Sequence, residues 1–99
     1  MSNYQIVWTF EAENDLDAIF EFYYTKSPSA AINIRTSIIT AVEDLIFATQ
    51  FQVDDINDRY RRIIVGNYKV LYKEIGNKLV IFAIFDCRQD PKKLKKLRK

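Results

Sequence analysis

The sequence predicts an α+β fold of order β-α-α-β-β-β, a small antiparallel sheet with a helical hairpin packed on one face. Three observations lead there. Two consecutive segments carry apolar residues at helical spacing and meet at "SPS" (Ser27 to Ser29). Three β-rich runs follow, separated by the pairs Gly66-Asn67 and Gly76-Asn77. One short alternating run, "YQIVW" (Tyr4 to Trp8), precedes the helices.

The first run is β-branched or aromatic at most positions, as a strand requires. Thr9 then suits an N-cap, and Glu11 and Glu13 suit the positive end of a helix dipole. Ala12, Leu16, Ile19, Phe20, Tyr23 and Tyr24 recur as one helical stripe, leaving Asp15, Asp17 and Glu21 on an acidic outer face. Ser27 caps a second helix that opens on Pro28, a residue whose missing N–H costs nothing at the first position. Its stripe is Ala31, Ile34, Ile38, Val42 and Leu45, and the spacing predicts that it runs to about Ala48. So short a turn makes the helices an antiparallel hairpin. Residues 49–59 show no period and read as a loop with a short turn of helix. From Tyr60 the pattern is "YRRIIV", "YKVLYKEI" and "KLVIFAIFD" around the two Gly-Asn pairs. Gly at the first loop position suits a type II′ hairpin turn.

Ninety-nine residues make one domain. Residues 1–91 are expected to form it, with 92–99 ("KKLKKLRK") as a mobile or weakly helical basic tail. No histidine is present, and one cysteine, so imidazole catalysis is excluded, the usual Cys and His ligands of a zinc site are lacking, and no metal or cofactor is expected. Cys87 cannot form an internal disulfide, the N-terminus lacks the pattern of a signal peptide, and no apolar run approaches the roughly 20 residues of a membrane span. A cytoplasmic protein is expected. The net charge of +2 hides an asymmetry: residues 1–58 hold ten acids and two bases, residues 59–99 thirteen bases and three acids. Such a split suits an anionic partner for the second half, or mutual attraction of the halves within the fold.

If each Gly-Asn is a two-residue loop, Val65 pairs with Tyr68 and Ile75 with Lys78. Strict alternation then sorts the side chains. One face gathers Arg61, Ile63, Val65, Tyr68, Val70, Tyr72, Ile81, Ala83 and Phe85, and should meet the helices. The other gathers Arg62, Ile64, Lys69, Leu71, Lys73, Val80, Phe82, Ile84, Asp86 and Arg88, and should be open or shallow because it carries charge. Its cations would make an anion-binding surface. A bulge at either turn would exchange Arg61 and Arg62. The candidate binding residues are therefore Arg61, Arg62, Lys69, Lys73, Asp86, Arg88 and Gln89. Cys87 alternates to the helix side as a small buried hydrophobe. Tyr23, Tyr24 and Phe47 are candidates for an apolar groove on the hairpin, or for the core.

With "YRRIIVGNYKVLY" (Tyr60 to Tyr72) and "VIFAIFDCRQDPKKL" (Val80 to Leu94), in this order after a helical hairpin, the chain resembles the RelE/ParE superfamily of bacterial toxins from type II toxin–antitoxin modules. "GNYKVLY" with "FDCRQDP" is most similar to the ParE-like branch. The resemblance implies one of two activities. RelE-like members cut mRNA on the ribosome, using cationic residues of the sheet and a late histidine or tyrosine. ParE-like members inhibit DNA gyrase. Both are neutralised by an antitoxin.

Lys69 lies where RelE-like nucleases carry arginine in "YRLVY". Arg88 lies near their arginine after the last strand, and Arg61 or Arg62 near a strand lysine. Ile63 or Ile64 replaces a second lysine, and no Tyr or His follows Tyr72. No catalytic residue is therefore named with assurance; a nuclease would have to use Arg61, Arg62, Lys69 and Arg88. The resemblance implies a non-enzymatic, gyrase-inhibiting toxin with a cognate antitoxin and a role in plasmid stabilisation. The alternatives are a ribosome-dependent mRNA endonuclease and an inactive relic that only binds its antitoxin.

Overall fold

A computed structural model describes residues 4–96. Strand β1 (Gln5–Trp8) leads into α1 (Phe10–Tyr24) and α2 (Pro28–Glu43). A 3₁₀ turn (Ala48–Gln50) and a loop follow, then β2 (Arg61–Val65), β3 (Tyr68–Ile75), β4 (Lys78–Asp86) and a short α3 (Pro91–Lys95). The sheet order is β1-β4-β3-β2. β2, β3 and β4 are antiparallel, but β1 runs parallel to β4, with Gln5 opposite Lys78 and Trp8 opposite Ile81. The sheet is thus mixed rather than wholly antiparallel. The helical hairpin carries the chain from one edge to the other and so allows the parallel neighbour.

The helix ends form as their capping residues require. The Thr9 hydroxyl accepts the Ala12 N–H at 3.1 Å and donates to the Ile81 carbonyl at 2.9 Å, tying the start of α1 to β4. The Ser27 hydroxyl accepts the Ala30 N–H. α2 ends at Glu43, short of the Ala48 that the apolar spacing suggests. Beyond it, the Gln50 side chain accepts the Ile46 N–H and donates to the Asp44 carbonyl, so the chain turns into the 3₁₀ segment. Leu45 stays buried without being helical.

Both hairpin turns have the expected register, Val65 with Tyr68 and Ile75 with Lys78. Gly66 and Gly76 have φ of 58° and 62°, while no other described residue has positive φ. Positive φ at the first loop position alone agrees with the type II′ turn. The departure lies inside β4. Tyr72 opposes Ile81, yet Leu71 opposes Ala83, so Phe82 is an extra residue. A bulge of this kind reverses the alternation beyond it. Ile84 and Asp86 therefore turn to the helix side, and Ala83 and Phe85 turn away, the reverse of strict alternation.

The helix side holds the main core: Ala12, Leu16, Ile38, Val42, Ile63, Val70, Tyr72, Leu79, Ile81 and Ile84 among others. The opposite face is not open. Tyr60, Leu71, Ala83 and Leu94 form a second core there, with Ile56, Phe82 and Phe85 packed on it. The loop before β2 and α3 cover it. Residues 92–96 are thus partly anchored rather than a free tail: Leu94 is 0% exposed, and its carbonyl accepts the Asn57 side-chain N–H at 2.9 Å. Residues 97–99 of the predicted tail lie outside the described residues. Leu94→Ala should cost about 2–5 kcal/mol, as for other fully buried leucines. A denaturant midpoint measured on both chains checks this; a solvated tail residue would change stability by less than about 0.5 kcal/mol.

Candidate functional site

The bulge divides the seven candidate binding residues between the two sides of the sheet. Arg61 lies opposite Tyr72, on the helix side at the β2 edge, where its guanidinium donates to the Phe51 carbonyl at 2.9 Å. Arg62, Lys69 and Lys73 project to the second face. Asp86 and Arg88 project to the helix side, at the end of the sheet, with Gln89 next to them. The four cations Arg62, Lys69, Lys73 and Arg88 therefore do not share one surface.

On the second face the charges are satisfied internally. The Lys69 ammonium lies 2.8 Å from the buried Asp54 carboxylate and 3.2 Å from Asp55. Arg62 approaches the same two carboxylates at 3.6 and 3.3 Å. The other oxygen of Asp54 accepts the N–H groups of Ile56 and Asn57. Lys73 lies over the rings of Tyr60 and Phe82, at 5.1 and 5.3 Å. Burial depresses the Lys69 pKa, but hydrogen bonds to Asp54 and Asp55 outweigh it and hold the ammonium above its ordinary value. The Lys69 hydrogen bond keeps the Asp55 carboxyl below the usual range. An acid-rich loop thus occupies the cationic face in cis.

The sheet end carries the more accessible cluster. Arg88 forms a two-point ion pair with Asp86, Nε and Nη2 each 2.9 Å from a carboxylate oxygen, and its backbone N–H adds a third bond. The Arg88 hydrogen bond lowers the Asp86 pKa. The guanidinium also lies over the Tyr68 ring and reaches its hydroxyl at 3.4 Å, and that hydroxyl meets Tyr23 of α1 at 3.4 Å. Burial foremost raises the Tyr68 pKa, whereas the hydrogen bond from Tyr68 and the nearby Arg88 lower that of Tyr23. A groove of about 270 Å³ opens here, walled by Ala18, Ile19 and Phe22 on α1 and by Tyr68, Arg88 and Gln89 opposite. Phe22 is exposed, as are Tyr24 and Phe47, while Tyr23 packs against the core. This surface suits recognition by apolar contact with an oriented guanidinium–carboxylate pair.

Sequence reasoning missed Asp54 and Asp55 as partners of Lys69 because residues 49–59 have no period. The available signal was charge: four acids or amides precede three strands rich in cations. It also put Tyr68 in the core without the polar cluster around its hydroxyl. Cys87 is exposed, not buried, since the reversal moves it off the helix side. Its N–H donates to the Asn67 carbonyl, and desolvation pushes its thiol pKa up, so the exposed sulfur is not an activated thiolate. Among the described residues no group of His, Cys, Asp and Glu could hold a metal ion, and no helix is long and apolar enough to cross a membrane.

Lys69→Met removes the nearer of the two cations on the buried Asp54 and leaves it Arg62 at 3.6 Å, so the chain should be destabilised by up to about 3–5 kcal/mol in urea titration. Asp55, with its lowered folded pKa, stabilises above the ordinary carboxylate value, and that contribution is lost as pH falls through the folded pKa. The stability gap between the native chain and Asp55→Asn should therefore narrow on acidification below about pH 4. A gap that widens there would contradict the Lys69–Asp55 pairing.

Comparison with known proteins agrees with this architecture. The family described as "ParE toxin of type II toxin-antitoxin system, parDE" matches residues 6–91. Among solved structures, one described as "Chromosomal ParDE TA system from P. aeruginosa" superposes with a TM-score of 0.72 at 20% identity, over 84% of this chain and 95% of that one. No curated protein matches. With a family match spanning nearly the whole chain, from β1 to the start of α3, this protein belongs to the ParE toxin family of type II toxin–antitoxin systems.

Proposed function

We propose that this ParE-family toxin works in the cytoplasm as a binding protein that inhibits DNA gyrase, and that a cognate antitoxin neutralises it. The sheet-end cluster of Tyr68, Asp86, Arg88 and Gln89, with Tyr23 and Phe22 of α1, is the proposed contact surface. The observation that carries this reading beyond family membership is the occupation of the opposite face. A nuclease would need Arg62, Lys69 and Arg88 to converge on a phosphate and stabilise its developing charge. Here Arg62 and Lys69 are bound to Asp54 and Asp55, and Arg88 lies on the other side of the sheet. The chain also lacks a histidine, and no tyrosine follows Tyr72.

The Arg88 side chain is half exposed and its contacts are with Asp86, Tyr68 and Tyr23 at the sheet end, so Arg88→Ala is expected to fold. In a supercoiling assay with purified gyrase, the native chain should inhibit, and Arg88→Ala should need at least tenfold more protein for the same inhibition. Unaffected supercoiling, together with mRNA cleavage in a translating extract, would replace this reading with the nuclease one. Inertness in both assays would leave antitoxin binding as the surviving activity.

The basic residues of α3 act at longer range. Changing Lys92, Lys93, Lys95 and Lys96 to Gln, with Leu94 kept, should weaken inhibition several-fold at low salt and less at high salt, because screening removes the steering they provide. Deletion of residues 92–99 is not an equivalent test, since it also removes Leu94 from the second core.

A further inference from the structure

α3 is held by its inner side and carries its charge outward. Leu94 is buried, and its carbonyl accepts the Asn57 side-chain N–H, so this short helix is fixed against the second core. With Leu94 facing inward, helical geometry puts Lys92 and Lys96 one turn apart, about 160° around the axis from it, and Lys93 and Lys95 about 100° to either flank. All four lysines are exposed. None forms an ion pair among the described residues.

Nearby carboxylates offset this charge only in part. Asp90 caps α3 by accepting the Lys92 N–H and remains an anion. Asp15 accepts the Ile84 N–H at 2.9 Å, and with Asp86 it lines a cavity of about 260 Å³ that Lys93 also reaches, so Lys93 is partly compensated. Asp54 and Asp55 are engaged by Lys69 and Arg62. Lys92, Lys95 and Lys96 therefore stand against Asp90. The same face adds Arg59, whose N–H donates to the Asn57 side chain that holds Leu94, and Lys73 over the rings of Tyr60 and Phe82. Asp58 offsets one of these. Across the sheet the sign is reversed: residues 10–44, the helical hairpin, hold seven carboxylates and two cations. Such a dipole turns α3 toward a polyanion and the hairpin away from it.

The kind of polyanion follows from what accompanies the lysines. Protein interfaces are centred on apolar or aromatic anchors and are poor in lysine, whereas Leu94, at the middle of α3, faces inward. Single-stranded nucleic acids need aromatic faces for their bases, whereas Tyr60 is buried and Lys73 covers Phe82. A ridge of ammoniums suits a duplex, which keeps its bases inside and its phosphates outside. We infer that α3 binds the phosphate backbone of duplex DNA, without reading its sequence, through Lys92, Lys95 and Lys96. The choice of DNA rests on the gyrase reading above, since gyrase works on duplex DNA. With α3 on the second face and the Arg88 groove beside α1, the chain can touch DNA and enzyme at once.

The test titrates the full chain into a fluorescently labelled DNA duplex of mixed sequence, without gyrase, and follows anisotropy at several salt concentrations. Each phosphate contact adds about 0.9 to the steepness of log affinity against log salt. Changing Lys92, Lys93, Lys95 and Lys96 to Gln should therefore lower that steepness by about 3, and Lys92→Gln with Lys96→Gln by about 2. Lys26→Gln with Lys78→Gln removes charge from other elements and should leave it unchanged. Thermal melting checks that each variant is folded. A duplex of unrelated sequence should bind equally, and a single strand of the same length, or poly-glutamate, at least tenfold more weakly. Equal steepness for the native chain and the fourfold variant, or no binding at about 0.1 mM protein in low salt, would overturn the inference. Equal binding of poly-glutamate or of the single strand, or tighter binding of duplex RNA, would also overturn it. The supercoiling assay is separate: DNA binding by a chain that does not inhibit gyrase sinks only the gyrase reading, and inhibition by a chain that does not bind DNA sinks only this inference.

Discussion

Opposite the junction of Leu71 and Tyr72 in β3, β4 holds one residue more than its partner, and Phe82 and Ala83 both join the second core. The Thr9 hydroxyl bonds the Ile81 carbonyl and reaches that of Phe82, so the cap of α1 and the bulge are one local structure. Everything C-terminal to the bulge depends on it. Ile84 enters the main core, and Asp86 and Arg88 come to Tyr68 and α1. A β4 without the extra residue would send Asp86 and Arg88 to the side of Lys69 and would expose or bury a different set of apolar groups. One added residue thus separates a chain with a gathered cationic face from one whose cations are divided between two faces.

The second face illustrates how a charged sheet surface becomes interior. A lone ammonium under a loop is strongly unfavourable, so Lys69 can be buried only with a carboxylate beside it. Asp54 supplies that partner and uses its second oxygen to hold the loop backbone at Ile56 and Asn57. Asn57 in turn holds α3 through the Leu94 carbonyl. The order runs from ion pair to loop to helix. Buried pairs of this kind seldom add much net stability over an apolar pair, but they are costly to break. Their contribution here is to fix the loop over Leu71 and Tyr60, and so to close a face that is cationic by composition. The charge asymmetry between the halves of the sequence is spent in part on this internal contact.

Most of the fold was legible because it rests on periodicity and turn chemistry. Thr9 and Ser27 cap the helices they were expected to cap, Ala12, Leu16, Ile19 and Tyr23 of the α1 stripe and Ile34, Ile38 and Val42 of the α2 stripe join the main core while Tyr24 is exposed, and both Gly-Asn turns keep their two-residue register. What failed was local or long-range. α2 stopped early because Gln50 satisfies the groups at its end, a contact no helical period records. β1 paired in parallel because the helices cross the sheet. Leu94 looked like one apolar residue in a basic run, and only the cavity formed by Tyr60, Leu71 and Ala83 gives it a place.

By itself the sequence determined the element order, the positions of the turns, the absence of imidazole chemistry and the resemblance to toxins of the RelE/ParE superfamily. These follow from residue types and short spacings, which act through neighbours in the chain. The tertiary structure alone decided which side of the sheet Asp86, Cys87 and Arg88 occupy, that Lys69 is neutralised rather than displayed, and that Ile84 rests on Asp15. Each of these depends on a single bulge or on a pairing between residues far apart in sequence. Alternation carries no record of an inserted residue, and charge counts do not say which acid meets which base.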